Sequence, residues 1–256
     1  MILEQNSGFK GFMKSTPVTG TLIILVSLVF LITSLSGGLS SDPVIRVQTL
    51  REFGALDTAR VYNNNEFWRF FTVMFLHADI MHFIFNTGFG LFLISSALER
   101  MIGPKKFALI YFLSGIGASI VVYGYDILIT RQASFGVGAS GAIYGVLGTL
   151  LYLTIYKRDW FSPRDISSIR SLILINVVFT FIVPNISTSA HLGGLASGFI
   201  LASLLNPSRY YSGRSQGFND PYDPYAQERK QFNPDEDPFD YIEIIDDDDD
   251  DDRRVW

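Results

Sequence analysis

Apolar residues in this chain come in blocks. TLIILVSLVFLITSL (21–35) carries no charge, and five more runs follow: FIFNTGFGLFLISSAL (83–98), FALIYFLSGIGASIVVYGY (107–125), AIYGVLGTLLYLTIY (142–156), SLILINVVFTFIVP (171–184) and LGGLASGFILASLL (192–205). A bilayer core takes about 20 apolar residues of helix, and shorter blocks are completed by polar ends at the interface. The pattern predicts an all-α polytopic membrane protein, a six-transmembrane-helix bundle. Six buried core helices of a soluble protein are the alternative, but a soluble helix needs a wet face and charge seldom interrupts these runs. A signal peptide is the alternative for the first run, since Lys10 and Lys14 precede it. SLSGG is a poor small-x-small cleavage site and five spans follow, so an uncleaved helix is the better reading.

Charge sets the expected orientation. Nine Lys and Arg residues precede the first run or lie in the connections after the second and fourth. Five lie on the other side, four of them in the long first loop. That asymmetry puts the N-terminus in the cytoplasm, and an even number of spans returns the C-terminus there. Composition changes at residue 207. Residues 207–256 carry 6 basic and 15 acidic side chains, a net of −9, against a net of +4 for 1–206, so the chain's −5 belongs to the tail. Seven consecutive aspartates (246–252) cannot bury enough apolar surface to fold, which predicts disorder. The expected organisation is a short cytoplasmic N-terminus (1–16), a six-helix domain (17–206) with an external loop at about 37–68, and an acidic cytoplasmic tail (207–256). The tail is read either as a solvated spacer or as the grip for a cytosolic partner through YIEII (241–245) or Val255 and Trp256. The chain has no cysteine, which excludes disulfides and thiolate metal sites.

In this orientation the second, fourth and sixth helices run the same way, and all three have polar groups near their outer ends. These are His77, His82 and Asn86, then Ser140, then His191, including every histidine in the chain. Polar side chains in a membrane face the bundle interior and tend to be functional. Gly141, Gly145 and Gly148 form a small-residue stripe after Ser140; Gly194, Gly198 and Ala202 form another after His191. Such stripes let backbones approach closely, so the fourth and sixth helices are expected to pack with Ser140 near His191. A serine hydroxyl needs a base of pKa near 7, which an imidazole supplies. The developing oxyanion needs donors. Backbone N–H groups at the start of a helix are available, and His82 and Asn86, spaced i, i+4, can both donate. No acidic residue is placed to orient His191; Tyr144, one turn after Ser140, could stack on it or simply belong to an interfacial aromatic belt.

WR (68–69), HADIMHFIFN (77–86), ER (99–100), GASGAIYG (138–145) and AHLGGLASG (190–198) stand in order along the chain. With these motifs the sequence resembles the rhomboid intramembrane serine proteases over roughly residues 65–205. The resemblance implies a Ser140–His191 dyad, an oxyanion site of the Ser140 N–H with His82 and Asn86, and Tyr144 stacked on the histidine. Gly138, Gly141, Gly194, Gly198 and His77 would support the site. Trp68 and Arg69 would organise the first loop with His77, and Glu99 with Arg100 would fix the end of the second helix. The implied activity is serine endopeptidase cleavage of membrane proteins within or beside their transmembrane segments. The expected partners are such substrates and the bilayer, with no nucleic acid, and the expected location is the cell membrane of a bacterium. No cofactor is called for: three histidines could ligand zinc, but acidic ligands and H-E-x-x-H spacing are missing. A client-binding relative without catalysis would be expected to lack Ser140 or His191. A transporter would be expected to spread its polar groups through the helices rather than gather them at one end.

Overall fold

The computed structural model describes residues 8–184 and 186–210. Five of its helices are long and apolar enough to cross a membrane: α1 (Pro17–Gly38), α2 (Ile80–Ile102), α3 (Pro104–Thr130), and, beyond a shorter apolar helix α4 (Ser140–Tyr156), α5 (Pro163–Ile182) and α6 (Thr188–Leu205). Each of the six apolar runs is thus a helix, and the fourth falls short of a full span. Its 17 residues rise about 25 Å, less than a hydrocarbon core of about 30 Å. It is also the central helix. Every residue from Gly141 to Leu150 is buried, and Val146 and Leu147 share one core with Phe107, Ile110 and Tyr111 of α3. The outer helices instead keep apolar side chains on the surface: Leu31 is 55% exposed, Leu174 63% and Ile182 68%. Such a girdle is what a helix bundle presents to lipid.

The helix starts follow from local chemistry. Asp79 accepts the His82 N–H (2.8 Å) at the head of α2. Ser162, Pro163 and Asp165 form a capping box that starts α5 eight residues before its apolar run, at Pro163 rather than Ser171. Ser187 caps α6 through the Ala190 N–H (3.3 Å). The head of α1 is held from a distance: the buried Glu99 carboxylate accepts the N–H groups of Val18 (2.9 Å) and Thr19 (2.7 Å). The head of α4 has no side-chain cap; the residue before it is Ala139.

The first loop has secondary structure of its own, with short helices at Pro43–Glu52 and Thr58–Asn64 and a further turn at Arg69–Thr72. Asp42 and Asp57 cap the first two. Arg69 is buried, donates to Arg51 O (2.7 Å) and Ala55 O (2.9 Å), pairs with Glu66 (2.6 Å) and stacks on Trp68. A two-residue antiparallel pairing, Leu56 with Gly136 and Asp57 with Phe135, fastens this loop to the segment leading into α4. Thr58 reinforces it by donating to the buried Asp126 carboxylate (2.7 Å), which also accepts the Ser134 N–H (3.1 Å).

Residues 207–210, the first of the acidic tail, turn back on the α2–α3 connection, where Tyr210 N–H donates to Met101 O (2.8 Å). The aspartate run, 241–245, Val255 and Trp256 lie outside the described residues, as does 1–7 of the N-terminal stretch.

Candidate active site

Ser140 is the first residue of α4. The approach to it is fixed by Gly138, whose N–H donates to Val73 O (3.0 Å) and whose φ is +132°. That backbone conformation suits glycine. Space demands it too: a Cβ here would lie 2.7 Å from the His82 ring and 3.7 Å from Ser140 Oγ. Ser140 and the His82 imidazole therefore border the same small gap above Gly138.

His82 and Asn86 lie one turn apart on α2, and the Asn86 amide donates one hydrogen to His82 O (3.1 Å), keeping its second. Asn86 sits where α2 changes to wider, π-type winding over Phe85–Ser95, a local departure that recurs at functional positions. His77 is buried behind them, edge-on to the His82 ring at 5.0 Å and to Phe83 at 5.8 Å. Burial chiefly, with His82 beside it, pushes its pKa down to about 3, so it is a neutral ring.

α4 and α6 meet through the predicted stripes. A Cβ at Gly194 would overlap Gly141 O, and one at Gly198 would overlap Gly145 O; backbone lies against backbone. The contact sets Gly141, next to Ser140, against Ala190, next to His191: a Cβ on Gly141 would lie 3.8 Å from Ala190 O. His191 is buried, with its ring flat on Tyr144 at 3.8 Å between centroids and 16° between planes. No hydrogen bond joins Ser140 to His191 among the described residues.

Two residues that sequence reasoning passed over complete the surroundings. Thr180 Oγ1 lies 2.7 Å from His191 Nδ1, and the Tyr144 hydroxyl reaches Asn176 O (2.7 Å) and Thr180 Oγ1 (2.8 Å). The signal was an Asn and a Thr four apart inside an apolar run, a polar face on a membrane helix. Glu99, near the end of α2, is hydrogen-bonded to the start of α1. Among the described residues no group of three or more His, Asp or Glu side chains is arranged to hold a metal.

Residues 64–208 match the Rhomboid domain family. Rhomboid protease GluP of Bacillus subtilis (strain 168) is 37% identical over 187 residues, covering 73% of this chain and 34% of GluP. YdcA, a rhomboid relative from the same organism, is 34% identical over 205 residues, 78% of this chain and 94% of YdcA. The mitochondrial RHOMBOID-like protein 6 of Arabidopsis thaliana is 37% identical over 162 residues, 61% of this chain and 50% of that protein. The chain thus spans about a third of GluP and nearly all of YdcA. A domain match over more than half the chain, with a relative aligned almost end to end, establishes a multi-pass membrane protein that belongs to the rhomboid family.

Proposed function

We propose that this protein is an intramembrane serine endopeptidase, with Ser140 as nucleophile and His191 as general base. The observation that supports it most is the stack of His191 on Tyr144, which holds an imidazole one turn from a serine at an uncapped helix head. In the first step Ser140 Oγ bonds to the scissile carbonyl carbon while its proton passes to His191 Nε2. The carbonyl oxygen becomes an oxyanion, met by the Ser140 N–H and by donors on His82 and Asn86. Collapse breaks the C–N bond as His191 returns the proton to the leaving amine. Water then attacks the acyl ester, giving its proton to His191, and the C–Oγ bond breaks as His191 returns that proton to Oγ, regenerating serine.

Substrates are proposed to be transmembrane proteins. A helical peptide bond in lipid has its backbone groups satisfied internally, so the substrate must unwind locally before attack. Helix-weakening residues such as Gly or Pro near the cleaved bond ease that step. The domain organisation carried with this reading is residues 1–16 on the cytoplasmic side, the protease bundle (17–206) in a bacterial plasma membrane and the acidic tail (207–256), again on the cytoplasmic side.

The test is labelling of Ser140 by an activated fluorophosphonate in detergent, together with cleavage of a model single-span substrate. Ser140→Ala and His191→Ala are expected to abolish cleavage while the proteins still accumulate. Cleavage that survives Ser140→Ala ends the assignment.

A further inference from the structure

We propose that Thr180 of α5 is a positioning residue that fixes the His191 tautomer, the part a carboxylate plays in a Ser-His-Asp triad. The proposal rests on His191 being the general base. Its physical content is a count of hydrogens.

Asn176 O, Tyr144 Oη, Thr180 Oγ1 and His191 Nδ1 are joined in order by three short contacts of 2.7, 2.8 and 2.7 Å, and the Thr180 hydroxyl also lies 3.2 Å from Asn176 O, the longest of the four separations. At 2.7–2.8 Å each of the three short contacts needs one hydrogen between its two atoms. The carbonyl at one end can only accept. The two hydroxyls supply one hydrogen each, so the third must come from the imidazole. Tyr144 then donates to Asn176 O, Thr180 donates to Tyr144, and His191 Nδ1–H donates to Thr180. If Thr180 instead donated to Nδ1, the one remaining hydroxyl hydrogen could not serve both other short contacts, leaving Tyr144 Oη against Asn176 O at 2.7 Å or against Thr180 Oγ1 at 2.8 Å with none between them; a Thr180 hydrogen turned to Asn176 O would still require Nδ1–H to donate to Thr180. The arrangement that satisfies all three contacts protonates Nδ1 and leaves a lone pair on Nε2, the nitrogen that must take the proton from Ser140. The same network accommodates the imidazolium formed in that step, because Nδ1 keeps its hydrogen.

Burial makes the count binding. Thr180 is 2% exposed, Tyr144 6% and His191 7%, so solvent has little room to supply a missing hydrogen. Thr180 is also one of two buried residues on α5, the other being Ile173, although most of that helix is exposed and apolar.

The test uses the full chain with Thr180→Val, which keeps the shape and removes the hydroxyl, and Thr180→Ser, which restores it. Ring ¹⁵N NMR of histidine-labelled protein reads the His191 tautomer, and cleavage kinetics separate kcat from KM. Wild type is expected to show Nδ1–H. Thr180→Val is expected to show mixed tautomers and a loss of about tenfold in kcat, one hydrogen bond's worth, with KM unchanged; Thr180→Ser is expected to recover both. An Nε2–H tautomer in wild type, or Thr180→Val with wild-type kcat, overturns the proposal. If Thr180→Val fails to fold, the wild-type tautomer and the Thr180→Ser rate decide the matter, since loss of activity in Thr180→Ser overturns it as well. Fluorophosphonate labelling separates the two levels: absence in wild type removes the dyad itself, whereas labelling in wild type with an indifferent Thr180→Val removes only the role of Thr180.

Discussion

The His191 ring lies parallel to the Tyr144 ring, 3.8 Å away and tilted by 16°. One residue belongs to α6 and the other to α4, so the stack spans the junction on which the proposed dyad depends. The tyrosine does two separable things: its face locates the imidazole, and its hydroxyl passes a hydrogen to Asn176 O. An aromatic stack contributes about 0.5–1.5 kcal/mol beyond area burial. Tyr144→Phe keeps the stack and is expected to retain more activity than Tyr144→Ala, which should lose at least about tenfold. Initial rates on one substrate rank the three proteins, and equal rates for Phe and Ala variants would show that the ring face has no part in holding His191.

Gly138 is where backbone conformation and space coincide. With φ at +132° and the His82 ring 2.7 Å from any added Cβ, Gly138→Ala must strain the backbone and displace His82 together. Gly136, two residues earlier, has nothing within 4 Å of a Cβ. The expected outcome is near-complete loss of cleavage in Gly138→Ala and wild-type cleavage in Gly136→Ala, at matched protein levels. Equal activity in the two variants would falsify the account of the gap above Gly138.

The sequence made some of this legible because the relevant interactions are local or periodic. Apolar run length located all six helices, and i, i+4 spacing placed His82 with Asn86 and Ser140 with Tyr144. Small-residue stripes indicated which two helices touch, and Gly194 against Gly141 is the result. What stayed hidden depends on contacts between elements. Thr180 meets His191 only because α5 and α6 fold back on each other, and nothing in SLILINVVFTFIVP indicates which neighbour its polar face will find. The helices of the first loop lacked an apolar period, though Asp42 before Pro43 and Asp57 before Thr58 were available cap signals. By its sequence the fourth apolar block is one span among six, and its shortness has meaning only beside its burial at the centre.

His77 carries a pH dependence whose sign can be worked out. Its ring is buried among Phe30, His82 and Phe83, and burial holds its pKa down to about 3 in the folded chain, against about 6.5 when unfolded. Between these values the unfolded state binds the proton and the folded state does not, so stability declines as pH falls from about 6.5 toward 3. Above about pH 7 the residue is neutral in both states and contributes no slope. Thermal unfolding in detergent at several pH values is expected to show a shallower acid decline for His77→Phe than for wild type. Parallel curves would mean that His77 is not the group responsible.

Glu99 offers a test of the scaffold that leaves the proposed chemistry intact. Its two carboxylate oxygens accept the Val18 and Thr19 N–H groups at 2.9 and 2.7 Å, which makes it the cap of a helix that begins far away in the chain, at Pro17. A carboxylate at a helix N-terminus gains from the dipole as well as from the two hydrogen bonds. Glu99→Gln keeps the shape but removes the charge and turns one acceptor into a donor facing an N–H. The expected cost is about 1–3 kcal/mol, read as a lowered unfolding temperature. The proposed catalytic groups lie on α2, α4 and α6, and the hydrogen bonds of the Glu99 carboxylate run to the head of α1 rather than to them, so fluorophosphonate labelling of Ser140 per folded molecule is expected to stay at the wild-type rate. A variant with unchanged unfolding temperature would show that the α1 head draws its stability from elsewhere. A variant that is stable yet unlabelled would tie α1 to the site and displace Glu99 from a purely structural role.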